Sequence, residues 1–236
     1  MRNFLSFALL GMAAVSGAIV IDDFSAGTYS MYVNSSTTRL EAVRLGPSGA
    51  ILGGERDAMV EYTGGPRGVE AVVSAGGMQF VNNESETSGV LYLQYDGIDG
   101  EIETDFMQSG SSMSPAANLS GSVAFVFRLP FVNNGLFSPV SIVTTVTTSS
   151  GSYSDTSFLP EGVSLTHVVP FANFAGADFS DVRRLDFIFI GPAAADFTLD
   201  SITTQPVPEP ATAAVALSGI ALLSRKLRSR GRSAVK

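Results

Sequence analysis

Between residues 19 and 206 apolar positions recur every second residue in short runs, and no run keeps a 3.6-residue period between helix caps. Gly89–Tyr95 (GVLYLQY) and Ser122–Leu129 (SVAFVFRL) alternate cleanly, and Val140–Thr148 (VSIVTTVTT) is dense in the β-branched residues that suit a pleated surface. Val182–Ile190 and Asp196–Thr203 read the same way, with shorter runs at Ile19–Phe24, Arg39–Leu45, Met59–Tyr62, Val69–Ser74, Met78–Val81 and Gly162–Val169. Turn formers punctuate them: Gly46-Pro47-Ser48-Gly49, Gly53-Gly54, Gly64-Gly65-Pro66, Asn82-Asn83, Asp96-Gly97, Asn133-Asn134-Gly135 and Ser149-Ser150-Gly151. About a dozen short strands predict an all-β fold, a single antiparallel β-sandwich of jelly-roll type. Gln108–Asn118 reads as a surface loop, and no interdomain linker or repeat interrupts the pattern.

Both ends of the chain break this rhythm. Arg2 precedes an apolar run, Phe4–Val15, which ends in the small residues Ser16-Gly17-Ala18. That order predicts a secretory signal over residues 1–18, cut by signal peptidase between Ala18 and Ile19; a retained N-terminal anchor is the alternative. At the other end Val207-Pro208-Glu209-Pro210 leads into an apolar run of 13 residues, Ala211–Leu223, and then a basic tail over residues 224–236. The run is short against the ~20 residues that a membrane-spanning helix needs, which suits a transient inner-membrane anchor. Arg225, Lys226, Arg228 and Arg230 form a stop-transfer cluster that stays cytoplasmic, because short positive flanks resist translocation. An ordinary C-terminal anchor or a buried helix end is the other reading of the apolar run alone. The prolines keep the motif extended and outside any following helix, accessible to a protease. Residues 19–206 are thus the ectodomain and 207–236 the tail.

Charge is divided along the chain. Residues 19–206 hold 21 acidic residues against seven arginines and no lysine, a net charge near −14, while the tail is basic. So acidic a surface disfavours nucleic acid and anionic lipid as partners. The chain has no cysteine, so the exported domain is held by its core alone.

Val207–Pro210, the apolar run and the basic tail together resemble the PEP-CTERM sorting signal of Gram-negative bacteria. The resemblance implies an exosortase-like processing enzyme that cuts near Pro208–Pro210, and a destination at the cell surface or in an exopolysaccharide or biofilm matrix. Ile21-Asp22-Asp23-Phe24, Leu91–Gly100 (LYLQYDGIDG) and the closing stretch Asp178–Ile202 resemble the galactose-binding-like jelly-roll domains that often precede this tag. That likeness implies that the last strand pairs near the first, and that Asp22, Asp23 and Asp200 contribute to a structural calcium between them. Function follows from a site and not from a fold, so three readings stand: a structural surface protein, a carbohydrate-binding module for matrix polysaccharide, and a secreted hydrolase.

Candidate chemistry is sparse, and no catalytic residue is assigned. Five carboxylates fall within Asp96–Asp105, and Asp96, Asp99 and Glu101 offer the oxygens that calcium takes from a Gly-bent loop. The spacing is not that of a helix-flanked calcium loop, and a solvated acidic turn is the other reading. Structural calcium is the one cofactor these acids suggest. His167 is the single histidine, which excludes a two-His metal site, and no GxSxG elbow accompanies it. There is no tryptophan; Tyr92, Tyr95, Tyr153 and Phe131 are the aromatic residues available to stack on sugar rings. Sequons begin at Asn34, Asn83 and Asn118, and Thr144–Ser157 is rich in hydroxyls.

Overall fold

The computed structural model describes residues 17–74, 76–82, 86–99, 112–135 and 138–208. Residues Ala18–Pro206 make one compact unit. Residues 1–16 of the predicted signal segment, Glu101, and the tail from Glu209 onward lie outside the described residues. Among the described residues no helix is long and apolar enough to cross a membrane.

The described residues form fourteen strands: β1 (Val20–Asp22), β2 (Tyr29–Val33), β3 (Arg39–Leu45), β4 (Glu55–Gly64), β5 (Val69–Ser74), β6 (Gly77–Asn82), β7 (Ser88–Tyr95), β8 (Ser122–Asn133), β9 (Ser141–Thr148), β10 (Gly151–Phe158), β11 (Gly162–Pro170), β12 (Val182–Gly191), β13 (Asp196–Leu199) and β14 (Ser201–Pro206). An eight-stranded sheet runs β1-β14-β8-β13-β6-β5-β2, with β11 on the other side of β8. A six-stranded sheet runs β10-β9-β12-β7-β4-β3. Every described pairing is antiparallel, and the two sheets face each other as a sandwich.

Alternation decides which side chains fill the space between the sheets. Leu91, Leu93 and Tyr95 on β7 point inward, as do Leu185, Phe187 and Phe189 on β12 and Phe125, Phe127 and Leu129 on β8. Without tryptophan the core is built from phenylalanine. Phe187 meets Phe127 edge to face with centroids 5.3 Å apart, and Phe125 at 5.6 Å. Phe189 stacks on Phe197 at 5.0 Å.

Several strands differ from the sequence reading. β8 runs past Leu129 through Pro130, which has no N–H for a ladder. The ladder skips there on both flanks: β14 pairs as far as Arg128 and β13 resumes at Phe131, while β11 leaves Ser164 unpaired, in the left-handed region (φ 53°). The run Asp196–Thr203 is two strands, because Asp200 turns its N–H onto the Arg128 carbonyl. β13 then pairs with β6 and β14 with β1, so the last strand lies beside the first. Ser152–Ser157 forms most of β10, an edge strand paired with β9 through a hairpin at Ser149-Ser150.

Candidate functional site

Inward Leu93, Phe187 and Val146 imply that their neighbours point away from the core. Strand register aligns these outward residues into rows across the whole six-stranded sheet. One row reads Val43, Asp57, Gln94, Asp186, Thr145, Ser154. The next reads Glu41, Met59, Tyr92, Ile188, Val143, Thr156, and the third Arg39, Glu61, Val90, Ile190, Ser141, Phe158. Neighbouring positions in a row are ~4.8 Å apart, the strand spacing.

This face is amphipathic along the strands. The first row is carboxylate, amide and hydroxyl: Gln94 Nε2 donates to Asp186 Oδ1 at 2.8 Å, and Arg184 Nε to Asp186 Oδ2 at 3.1 Å. Thr145 and Ser154 share a hydrogen bond at 2.8 Å, as do Thr147 and Ser152 at 2.9 Å. The third row carries Ile190 and Phe158, exposed by 42% and 61%. Between them stand Ile188, Val143 and Tyr92, whose hydroxyl donates to Glu61 at 3.0 Å. Burial, then the Glu61 bond and charge, push the Tyr92 hydroxyl up to about 12.

The face is unevenly covered. Asp57, Gln94 and Asp186 are buried although they point outward, whereas β9 and β10 present partly or fully exposed hydroxyls. The described flanks of the β7–β8 connection close one end: the Asp99 N–H donates to Glu55 Oε2 at 2.9 Å, and the Met113 N–H to the Arg183 carbonyl at 2.8 Å. Asp96 follows β7 here, and Gly97 turns the chain at φ 104°, its Cα facing the Met113 backbone. A cavity of about 480 Å³ opens beside this turn, lined among others by Leu52, Asp96, Ile98, Asp99, Met113 and Pro115.

Carboxylates gather at this end. Glu55 and Asp57, two residues apart on β4, share the outward side, and Asp57 pairs with Gln94, two residues before Asp96. Burial first, then the charges of Asp96, Glu55 and Asp99, push the Asp57 carboxyl up to about 9. Burial likewise raises Asp186, against the lowering effect of Arg184 and Gln94. A carboxyl protonated at neutral pH suits a general acid, but Asp57 is not among the residues lining the cavity.

The remaining predicted positions lie elsewhere. Asp22 is wholly buried and committed to Arg56, whose Nη1 reaches its two oxygens at 2.9 and 2.7 Å; Tyr95 Oη adds a bond at 2.8 Å and the Phe24 N–H another. Its carboxylate is a structural counter-ion and not an open metal ligand. Asp23 Oδ1 caps the Ser25 N–H, and Asp200 lines a shallow depression of about 240 Å³ with Arg128 and Thr166. Asp22, Asp23 and Asp200 therefore have separate surroundings, and among the described residues no three acidic or histidine side chains stand grouped around one point. Tyr95 is core and offers no sugar platform; Phe131 is exposed, but on the outward side of the other sheet. His167 Nε2 lies 2.8 Å from Ser157 Oγ, joining the edge strands β11 and β10. Ala18, Val207 and Pro208 are exposed. Ile19 is tied down by its N–H to Thr204 Oγ1 at 3.0 Å and by its carbonyl, which accepts from the Thr204 N–H.

Sequence reasoning passed over Glu55 and Asp57. The signal was there: two acids at alternate positions entering an apolar strand, with Arg56 between them turned inward to Asp22.

No family model matches the chain, and no curated protein matches it. Among solved structures it is similar to the family 11 carbohydrate-binding module of the cellulosomal cellulase Lic26A-Cel5E of Clostridium thermocellum, at 13% identity and a TM-score of 0.41, covering 84% of this chain and 99% of that one. It is similar also to the CBM22-1 xylan-binding domain of Paenibacillus barcinonensis Xyn10C, at 11% identity and a TM-score of 0.36, covering 84% of this chain and 100% of that one. A third is TmCBM61 in complex with β-1,4-galactotriose, at 11% identity and a TM-score of 0.33, covering 63% of this chain and 82% of that one.

Proposed function

We propose that this chain is an exported, non-catalytic β-sandwich that binds an uncharged polysaccharide along the outward face of its six-stranded sheet. The observation that carries the reading is the pairing on one face of an exposed apolar row, Ile190 and Phe158, with a ladder of hydroxyls, Thr145, Ser154, Thr147 and Ser152. A sugar ring has an apolar face of C–H groups and a rim of hydroxyls. The first packs on an aromatic or branched side chain, and the second exchanges hydrogen bonds with hydroxyls and carboxylates. Rows repeating at ~4.8 Å suit a linear polymer, and the acidic ectodomain disfavours a polyanion.

The test is affinity electrophoresis of the full chain through gels carrying xylan, mixed-linkage β-glucan, galactan or alginate. A neutral polymer retards the chain, and Phe158→Ala and Ile190→Ser each weaken binding about tenfold, ~1.4 kcal/mol. Retardation by alginate alone, or unchanged binding in both variants, contradicts the assignment.

A second reading rests on the Val207–Pro210 tail: a surface protein held by an exosortase-like enzyme and the inner membrane until it is cut, then delivered to the matrix of a Gram-negative cell as a structural component. The two readings are compatible, since the tail addresses the protein and the sandwich meets the polymer.

A further inference from the structure

We propose that the outward face of the eight-stranded sheet carries a second saccharide site, a pit at the Pro130–Ser164 break in the β8–β11 ladder, so that one molecule bridges two polymer chains. The ligand class rests on the polysaccharide reading; the site itself rests on a breach of alternation. Leu129 pairs with Leu165, and Phe131 with Val163 two positions along. Period-two alternation would point both pairs the same way. Leu129 is fully buried, yet Phe131 and Val163 are exposed by 42% and 70%. Between them Ser164 has φ 53°, and Pro130 opposite it has no N–H to pair. The left-handed residue turns the strand over, and both apolar side chains come out to solvent. That conformation is unfavourable for a serine, and backbone strain of this kind clusters at ligand sites. Folding gains nothing from exposing a phenylalanine and a valine side by side.

Between this pair and the next outward row, Thr166-Arg128-Ser201, lies the depression of about 240 Å³, lined among others by Arg128, Pro130, Ser164, Thr166 and Asp200. Arg128 and Phe131 are three residues apart on an extended strand, ~10 Å from Cα to Cα. Arg128 and Asp200 are exposed, and among the described residues their side chains make no hydrogen bond or ion pair. A guanidinium only donates and a carboxylate only accepts. A sugar hydroxyl does both, so neighbouring ring hydroxyls satisfy the two groups together, with the Ser164 and Thr166 hydroxyls beside them. The opposite charges suit a neutral polyol, since a simple anion is repelled by Asp200 and a simple cation by Arg128. The apolar face of an adjoining ring packs on Phe131 and Val163. This pit and the face bearing Phe158 belong to different sheets and point away from each other. Each therefore engages its own polymer strand.

The test is a bridging assay. The full chain is bound to beads carrying coupled xylan, mixed-linkage β-glucan or galactan, and the same polymer, fluorescein-labelled, is added in solution. The wild-type chain captures labelled polymer on the beads. Phe131→Ala and Arg128→Ala, both at exposed positions, still bind the beads through the six-stranded sheet, and capture falls about tenfold. A dimer with one site per chain would bridge in these variants too, so unchanged capture in both overturns the proposal. So does a wild-type chain that binds the beads but captures no labelled polymer, which leaves the six-stranded face as the single site. Bead binding that Phe158→Ala leaves intact and Phe131→Ala abolishes supports the pit and refutes the six-stranded face. Binding to none of the three polymers overturns both.

Discussion

Arg56 is the residue whose replacement tests the architecture most directly. It is fully buried, belongs to the six-stranded sheet, and binds the first strand of the other sheet through Asp22. Its Nη2 donates to the carbonyls of Ala26 and Gly27, both at 2.9 Å, and its guanidinium stands 5.2 Å from the Phe24 ring centroid and 5.4 Å from that of Tyr29. Burial alone would lower the Arg56 pKa; the Asp22 charge and hydrogen bond, with Tyr29 and Tyr95, together outweigh it and the value ends above normal. For Asp22 burial dominates and raises the carboxyl despite Arg56. Arg56→Met keeps the volume but strands a buried carboxylate and two carbonyls. Breaking a buried pair from one side costs about 3–5 kcal/mol. For a domain of this size, that lowers Tm by roughly 6–20 °C. Against a total stability of about 5–15 kcal/mol the variant still folds at 25 °C in most of that range. Urea unfolding followed by far-ultraviolet circular dichroism gives the difference in midpoint. Asp22→Leu costs a similar amount, and the double variant costs less than the sum, with a coupling of about 0.5–3 kcal/mol. A loss under about 1 kcal/mol for Arg56→Met, or strict additivity, would refute the view that this ion pair joins the sheets.

Other expectations follow from single positions. Burial lowers the His167 pKa, with Asp155 partly opposing it. The unfolded chain therefore takes up the proton first, and stability present above about pH 6.5 is lost as the pH falls toward the folded value; Tm measured from pH 8 to 5 shows the decline, and His167→Gln flattens it. Gly135 has φ 72°, and a Cβ there would stand 2.2 Å from the Ala193 carbonyl oxygen. Gly135→Ala costs at least about 1–2 kcal/mol from the left-handed backbone alone, so an unchanged midpoint in urea would contradict the placement of this turn. Replacing Pro208-Glu209-Pro210 by alanines leaves the exported chain membrane-bound with its basic tail, read by intact mass of the inner-membrane and surface fractions; normal trimming sinks the sorting proposal.

The strands that could be read from sequence are those whose two faces differ. β3 and β5 have the bounds that alternation gives, and β7 and β12 differ by a residue at one end. β10 was hidden because it is an edge: its residues are polar on both sides, and pairing with β9 makes it a strand. β2 alternates buried and exposed residues as well as any strand, yet the sequence reading left its five residues, YSMYV, out. In the acidic stretch, Asp96 and Asp99 were singled out by local density, whereas Glu55 and Asp57 join them only through antiparallel pairing some forty residues away.

By itself, then, the sequence determined the class of the fold, since period-two alternation between glycine-rich turns points to sheet, and its two ends hold the residues on which the export and sorting proposal rests. Tertiary structure alone decided which acids meet. Asp22 became the buried partner of Arg56, while Asp96 came close enough to Asp57 to raise its pKa. Tyr95 was turned into the core and Phe158 left on the surface. The reason is that alternation fixes which side of a strand a residue occupies, whereas register and strand order fix what lies across from it, and those depend on contacts between segments distant in the chain.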